Sequence, residues 1–237
     1  MLTVDNVKLS YSKNTVLERL SFQAYQGEIL GVLGKNGMGK STLLQALVGL
    51  KKVETGTIKL NSKNIGYMPE TADVYEYLTG LELLEIVAEL KNISLVEVHG
   101  LLTKLQKYIF LPELNNIAST YSKGNREKLL FALALLGTPD ILVMDEPFTG
   151  FDPESALGAK NFLREYVHAG HLILLSTHII EMAAQLCNRI IVLKSKHESQ
   201  EINLREETDF NKRIKLLEKV FNNFVPLKVD SEQTPLL

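Results

Sequence analysis

The pattern of hydrophobic and polar positions changes character twice along this 237-residue chain. From Leu2 to Val7 apolar and polar residues alternate, which predicts a strand with one exposed face. Ser21–Tyr25 and Thr57–Leu60 are further short strand patterns. Ile29–Leu33 is apolar throughout, as expected of a strand covered on both faces, and Leu43, Leu44, Ala46, Leu47 and Val48 then follow as a helix. After Ile65–Glu70 the pattern turns helical. Thr79 with Glu82 stands ahead of Leu83, Leu84, Val87 and Leu90, and Ser94 with Glu97 stands ahead of Val98, Leu101, Leu102, Leu105 and Ile109. Each pair is a capping box, in which the hydroxyl accepts from the third helical amide and the carboxylate reaches back to the cap. Pro112 is expected to end the second of these helices. From Pro139 the strands return: Ile141–Met144 and Leu172–Leu175 are continuous apolar runs, and Arg189–Leu193 is expected to be the last strand of the sheet. Between them Asp152-Pro153 opens a helix that runs to about Ala169-Gly170. In the more polar tail, Ile214, Leu217, Val220, Phe221 and Phe224 recur at helical spacing and predict one amphipathic helix docked on the core. Pro226–Leu237 is expected to be disordered.

Strands alternating with helices on either side of a helical stretch predict an α/β fold, with a parallel sheet and a ligand site at the carboxyl ends of its strands. The expected division is a core from residues 1–70 and 139–195 that includes N-terminal antiparallel strands, an inserted α-helical subdomain at 71–138, and a C-terminal amphipathic helix and tail at 196–237.

Composition narrows the partners. A net charge of −2 lacks the clustered basic surface that nucleic-acid binding needs. There is no apolar run of about 18 residues and no charged-then-apolar leader, so the chain is expected neither to span a membrane nor to be secreted. Its single cysteine, Cys187, falls in an apolar helical pattern and reads as a small buried hydrophobe, in keeping with a reducing cytoplasm.

The chemistry is carried by two stretches. Gly34-Lys35-Asn36-Gly37-Met38-Gly39-Lys40-Ser41-Thr42 lies between a buried strand and a helix, the context in which G-x-x-x-x-G-K-[ST] is a phosphate-binding loop. Its glycines let successive N–H groups face inward, and the helix N-terminus adds partial positive charge. Lys40 is expected to reach the β- and γ-phosphates of a nucleotide, and Ser41 to ligate Mg²⁺. The second stretch is the end of Ile141–Met144, where Asp145 and Glu146 stand side by side. Two adjacent acids repel unless a cation is near, which suits Asp145 to the Mg²⁺ shell and Glu146 to polarising an attacking water. Tyr11, in a polar loop about two dozen residues before the phosphate loop, is placed to stack on an adenine.

With these residues in view, residues 1 to about 195 resemble the nucleotide-binding domains of ATP-binding cassette (ABC) transporters. The most diagnostic match is Tyr121-Ser122-Lys123-Gly124-Asn125-Arg126, which looks like a divergent Leu-Ser-Gly-Gly-Gln signature lying shortly before Asp145-Glu146. The resemblance implies a P-loop NTPase core and ATP hydrolysis. It further implies that Ser122, Lys123, Gly124 and Asn125 act in trans on ATP held by a second subunit. Tyr11 then resembles the adenine platform, Asp152 the loop that crosses the dimer interface, and His178 the switch histidine at the γ-phosphate. Glu70 stands where the family has a glutamine. As a carboxylate it could ligate Mg²⁺ or water, while adding negative charge beside the phosphates. Tyr-Ser-Lys-Gly with this glutamate looks like the branch that exports drugs, antibiotic peptides and polysaccharides.

The implied protein is a cytoplasmic ATPase, peripheral on the inner face of the cell membrane. It would work with MgATP, separate transmembrane permease subunits and a second cassette, identical or not. A contact with the permease is expected around Glu70–Tyr77. Two other readings stand beside it: a soluble cassette protein of repair, translation or assembly, and a binding module that does not hydrolyse ATP.

Overall fold

The computed structural model describes residues 1–11, 14–71, 75 and 77–222. Phe224, the stretch 226–237 and part of Glu70–Tyr77 lie outside the described residues.

Two sheets are formed among the described residues. β1 (Leu2–Tyr11), β2 (Asn14–Ala24) and β4 (Thr55–Leu60) form an antiparallel sheet in the order β2-β1-β4. The second sheet runs β5 (Ile65–Met68), β6 (Ile141–Asp145), β7 (Leu172–Thr177), β3 (Ile29–Leu33), β8 (Arg189–Leu193) and β9 (Ser199–Asn203). Its first five strands are parallel, and β9 is antiparallel to β8. Every residue of β3, β6, β7 and β8 is buried, as their apolar runs require. Alternate positions feed two cores. Leu30, Val32, Ile141, Val143, Leu172 and Leu174 meet the antiparallel sheet and helix α1 (Lys40–Leu47). Leu33, Leu142, Met144, Ile173 and Leu175 meet the helices of the other face. Glycine serves this tight packing at Gly31, where a Cβ would lie 2.6 Å from the Cys187 sulfur.

Between β5 and β6 lie α2 (Gly80–Leu90), α3 (Leu95–Leu105), a single 3-10 turn at Ala118–Thr120 and α4 (Lys123–Leu135). Both capping boxes form: Thr79 Oγ1 accepts from the Glu82 amide at 3.1 Å and Ser94 Oγ from the Glu97 amide at 3.3 Å, with each carboxylate bonded back to its cap. After β6 the chain continues as α5 (Pro153–His168), β7, α6 (Ile180–Leu186), β8, β9 and α7 (Phe210–Asn222).

Several expectations are corrected. Arg189–Leu193 is not the last strand, because the β8–β9 hairpin adds Ser199–Asn203 at the sheet edge, where only Ile202 is buried. α3 ends at Leu105 rather than at Pro112. The Lys107 and Ile109 amides turn back to Lys104 and Leu105, and Ile109 reaches the core from that turn. The signature-like stretch itself opens a helix, which starts at Lys123 because Ser122 caps it. Tyr11 ends β1, which is longer than Leu2–Val7, rather than sitting in a loop. Cys187 follows α6 instead of lying within it, yet is fully buried, and burial pushes its thiol up to about 12. α7 docks on the core as expected: Leu217 is buried, and Arg213 donates to the carbonyls of Ala184 and Leu204 at 3.0 and 2.7 Å.

Candidate active site

The strand order β6-β7-β3 sets three loop ends side by side. β3 leads into the phosphate loop, β6 into Asp145 and Glu146, and β7 into Ser176, Thr177 and His178. The loop feeds α1 through Gly39, which has φ 88 and serves as the N-cap of a helix with no side-chain cap and no acid in its first turn. A side chain at Gly39 would be strained and would press on Val16 and Leu17 at 3.1–3.2 Å. The first amides of α1 have no intrahelical acceptor, so this end presents unpaired donors and partial positive charge.

Lys40 is buried beneath that end. Its ammonium donates to the Gly34 carbonyl at 2.9 Å and pairs with Glu146 Oε1 at 3.0 Å. The other Glu146 oxygen accepts from the His178 amide at 3.3 Å and lies 2.9 Å from His178 Nδ1, so that nitrogen carries a proton. Glu146 itself is 6% exposed and sits in left-handed backbone at φ 46. Ser176 joins the two acids: its hydroxyl donates to Asp145 Oδ1 at 2.5 Å and accepts from the Glu146 amide at 3.0 Å. Tyr67, in the strand beside β6, is held neutral. Burial first, and the Asp145 charge next, push its hydroxyl up to about 12.

A cavity of about 280 Å³ opens over this floor. The expected residues Asn36, Gly37, Gly39, Lys40, Ser41 and Thr42 line it from the loop, with Tyr11, Glu70 and Glu146 around them. Gly34, Lys35 and Met38 complete the loop without lining the cavity, nor do Asp145 and His178 line it directly. Tyr11 is 64% exposed at its rim, with the Lys51 ammonium 4.9 Å from its ring centroid. No group of three or more His, Cys, Asp or Glu among the described residues could hold a metal by itself. A hydroxyl and one or two carboxylates fit instead an ion that takes most of its oxygens from phosphates and water, which is the habit of Mg²⁺.

Ser122, Lys123, Gly124 and Asn125 do not line this cavity. Ser122 and Lys123 are exposed at the start of α4, and the Ser122 hydroxyl accepts from the Asn125 amide at a long 3.3 Å. Asp152 caps α5 through the Ser155 amide at 2.8 Å and takes the Lys128 ammonium at 2.6 Å. That ammonium, and then the amide, hold its carboxyl well below the usual range. Sequence reasoning missed Ser176, Val16 and Lys51, as well as Glu127 and Lys128 of α4. The visible signals were a hydroxyl inside a buried strand and two charges directly ahead of the apolar run Leu129–Leu135 of the same helix.

The comparisons with known proteins bear directly on this geometry. The family described as ABC transporter matches residues 17–149. An ABC transporter ATP-binding protein of Methanocaldococcus jannaschii is 35% identical over 201 residues, covering 81% of this chain and 74% of that protein. The chain belongs to the ABC transporter family. It is an ATP-binding cassette ATPase of the α/β P-loop class. The bacitracin transport ATP-binding protein BcrA of Enterococcus faecalis is 29% identical, covering 87% of this cassette and 70% of BcrA. A solved ATP-binding subunit of an ABC transporter superposes with a TM-score of 0.83 at 28% identity, covering 94% of this chain and 99% of that one. No helix among the cassette's described residues is long and apolar enough to cross a membrane.

Proposed function

We propose that this cassette powers export through separate transmembrane subunits, working as a dimer with an identical or a second cassette on the cytoplasmic face of the membrane. The observation that carries the reading is the buried Lys40–Glu146 pair, continued by the exposed His178, beneath an uncapped helix end. In this arrangement Lys40 neutralises Glu146. When the β- and γ-phosphates of ATP take the α1 amides, they offer Lys40 a stronger, doubly charged partner. Glu146 is then released on one side and steadied by His178 on the other, the position needed to orient a water toward the γ-phosphate. Ser41 and Asp145, with Glu70 at the rim, are the groups for Mg²⁺, which when bound offsets the charge developing on the phosphates. Tyr11 offers an exposed ring for the adenine, worth about 1–3 kcal/mol if it stacks as it does on nucleobases elsewhere.

The signature-like start of α4 is exposed and away from the cavity of its own chain, which suits it to the nucleotide of a partner cassette. Asp152, at the turn into α5, is proposed to border that interface. The export reading leans on the relatives, since one of Paraburkholderia xenovorans, 33% identical, is by name a Nod factor export ATP-binding protein and BcrA is a bacitracin transport protein. The division into a core at 1–70 and 139–195, a helical subdomain at 71–138 and a C-terminal region at 196–237 is proposed with it. Light scattering on the Glu146→Gln protein tests the dimer. A mass that doubles on adding MgATP is expected. A monomer that binds ATP at millimolar nucleotide would contradict self-association as the working state.

A further inference from the structure

Glu127 and Lys128 are adjacent in α4, both buried, and the chemistry above uses neither. Glu127 Oε2 accepts from the Gly150 amide at 2.8 Å and Oε1 from the Thr149 hydroxyl at 3.0 Å. Lys128 donates to Asp152 at 2.6 Å. Two neighbouring charges on one helix therefore tie down the far end of the segment whose near end is Glu146. Contact between helix and turn is close. A Cβ at Gly124 would lie 2.3 Å from the Gly150 carbonyl oxygen, and one at Gly150 would lie 2.8 Å from Glu127 Oε1.

That segment holds its shape against local preference. Glu146 and Phe148, neither of them glycine, have φ of 46 and 70. Such conformations persist only where surrounding contacts impose them. Phe148 packs edge-on against Phe151 and against Phe131 of α4, and the Phe151 amide turns back to the Phe148 carbonyl at 3.3 Å. A buried carboxylate is costly unless both oxygens are used, and both Glu127 oxygens are used by this one turn.

We propose that Glu127 is a positioning residue for ATP hydrolysis. By gripping Thr149 and Gly150 it holds the turn in the strained form that aims Glu146 at Lys40 and His178. It also locks the signature-like helix start to the strand that carries the acids. The inference rests on Glu146 as the water-orienting carboxylate.

Glu127→Ala, Glu127→Gln and Glu146→Gln of the full chain test it together. The Glu127→Ala protein is expected to bind MgATP with Kd and KM within about threefold of the unchanged protein, while kcat per bound nucleotide falls at least about tenfold. Its Gly150 amide exchanges hydrogen faster. Glu127→Gln should recover most of kcat, since its carbonyl accepts from Gly150 N–H and the Thr149 hydroxyl can turn to accept from its amide. An unchanged kcat in Glu127→Ala despite faster exchange at Gly150 would overturn the proposal, and so would a parallel loss of MgATP affinity, melting temperature and kcat. If Glu127→Ala does not fold, Thr149→Val removes one of the two donors and should lower kcat about threefold at constant Kd. No change there refutes the grip. Normal turnover by Glu146→Gln would instead sink the reading on which the inference rests.

Discussion

The N-terminus of α1 and those of α2 and α3 meet the same physical demand in opposite ways. Each leaves its first amides without intrahelical partners. α2 and α3 satisfy theirs from within, through Thr79 with Glu82 and Ser94 with Glu97, each bond between 2.8 and 3.3 Å. α1 begins with a left-handed glycine, carries no cap and no acid, and has an ammonium buried under it. α2 and α3 close their ends; α1, which serves a ligand, keeps its end open and relies on a glutamate to hold its lysine meanwhile. The start of α4 is intermediate, capped by Ser122 but with a long bond at an exposed position.

Breaking the open end should have the largest effect. Lys40→Ala removes charge-assisted contacts to phosphate worth about 3 kcal/mol or more, so ATP affinity should fall roughly a hundredfold by equilibrium binding. The same change leaves Glu146 buried without its cation, so the melting temperature without nucleotide should fall as well. Gly39→Ala comes next. It forces a side chain into φ 88 and against Val16 and Leu17, costing about 1–3 kcal/mol in thermal unfolding and weakening ATP binding with it. Gly37→Ala, at φ 81 but with open space around it, should cost less. Breaking the closed ends should have the smallest effect. Thr79→Ala or Ser94→Ala should each cost about 1 kcal/mol of stability by denaturant titration and leave ATP affinity unchanged, since neither residue lines the cavity. These caps also carry a sign with pH. Hydrogen bonds from Thr79 to Glu82 and from Ser94 to Glu97 hold both carboxyls below the ordinary glutamate range. Their contribution is therefore present above the unfolded glutamate value and is lost as pH falls through the lowered folded values, so the cost of Thr79→Ala should shrink in acid.

Local features were legible in the sequence because each is written in consecutive residues. The phosphate loop, the acids ending Ile141–Met144, both capping boxes and the Asp152-Pro153 start of α5 all form where expected. Edges and long-range contacts were not. β9 buries only Ile202, so its pattern resembles a polar loop until β8 is there to pair with it. Ile109 fits a helical period with Leu102 and Leu105, yet the backbone turns before it, because apolar spacing records burial rather than hydrogen bonding. The strand order β6-β7-β3 brings Glu146, His178 and Lys40 together across more than a hundred residues of sequence, and no spacing rule gives that. Glu127 escaped notice for the same reason, since its partners lie 22 and 23 residues away.

The central claim is that α1 and Lys40 hold the nucleotide while Glu146 serves only its hydrolysis. Measuring ATP affinity and steady-state turnover side by side for the unchanged and Glu146→Gln proteins tests it most directly. A Kd for MgATP within a few fold of the unchanged protein and turnover lower by roughly a hundredfold or more are expected. Turnover at the normal rate, or a loss of ATP affinity as large as the loss of turnover, would contradict it.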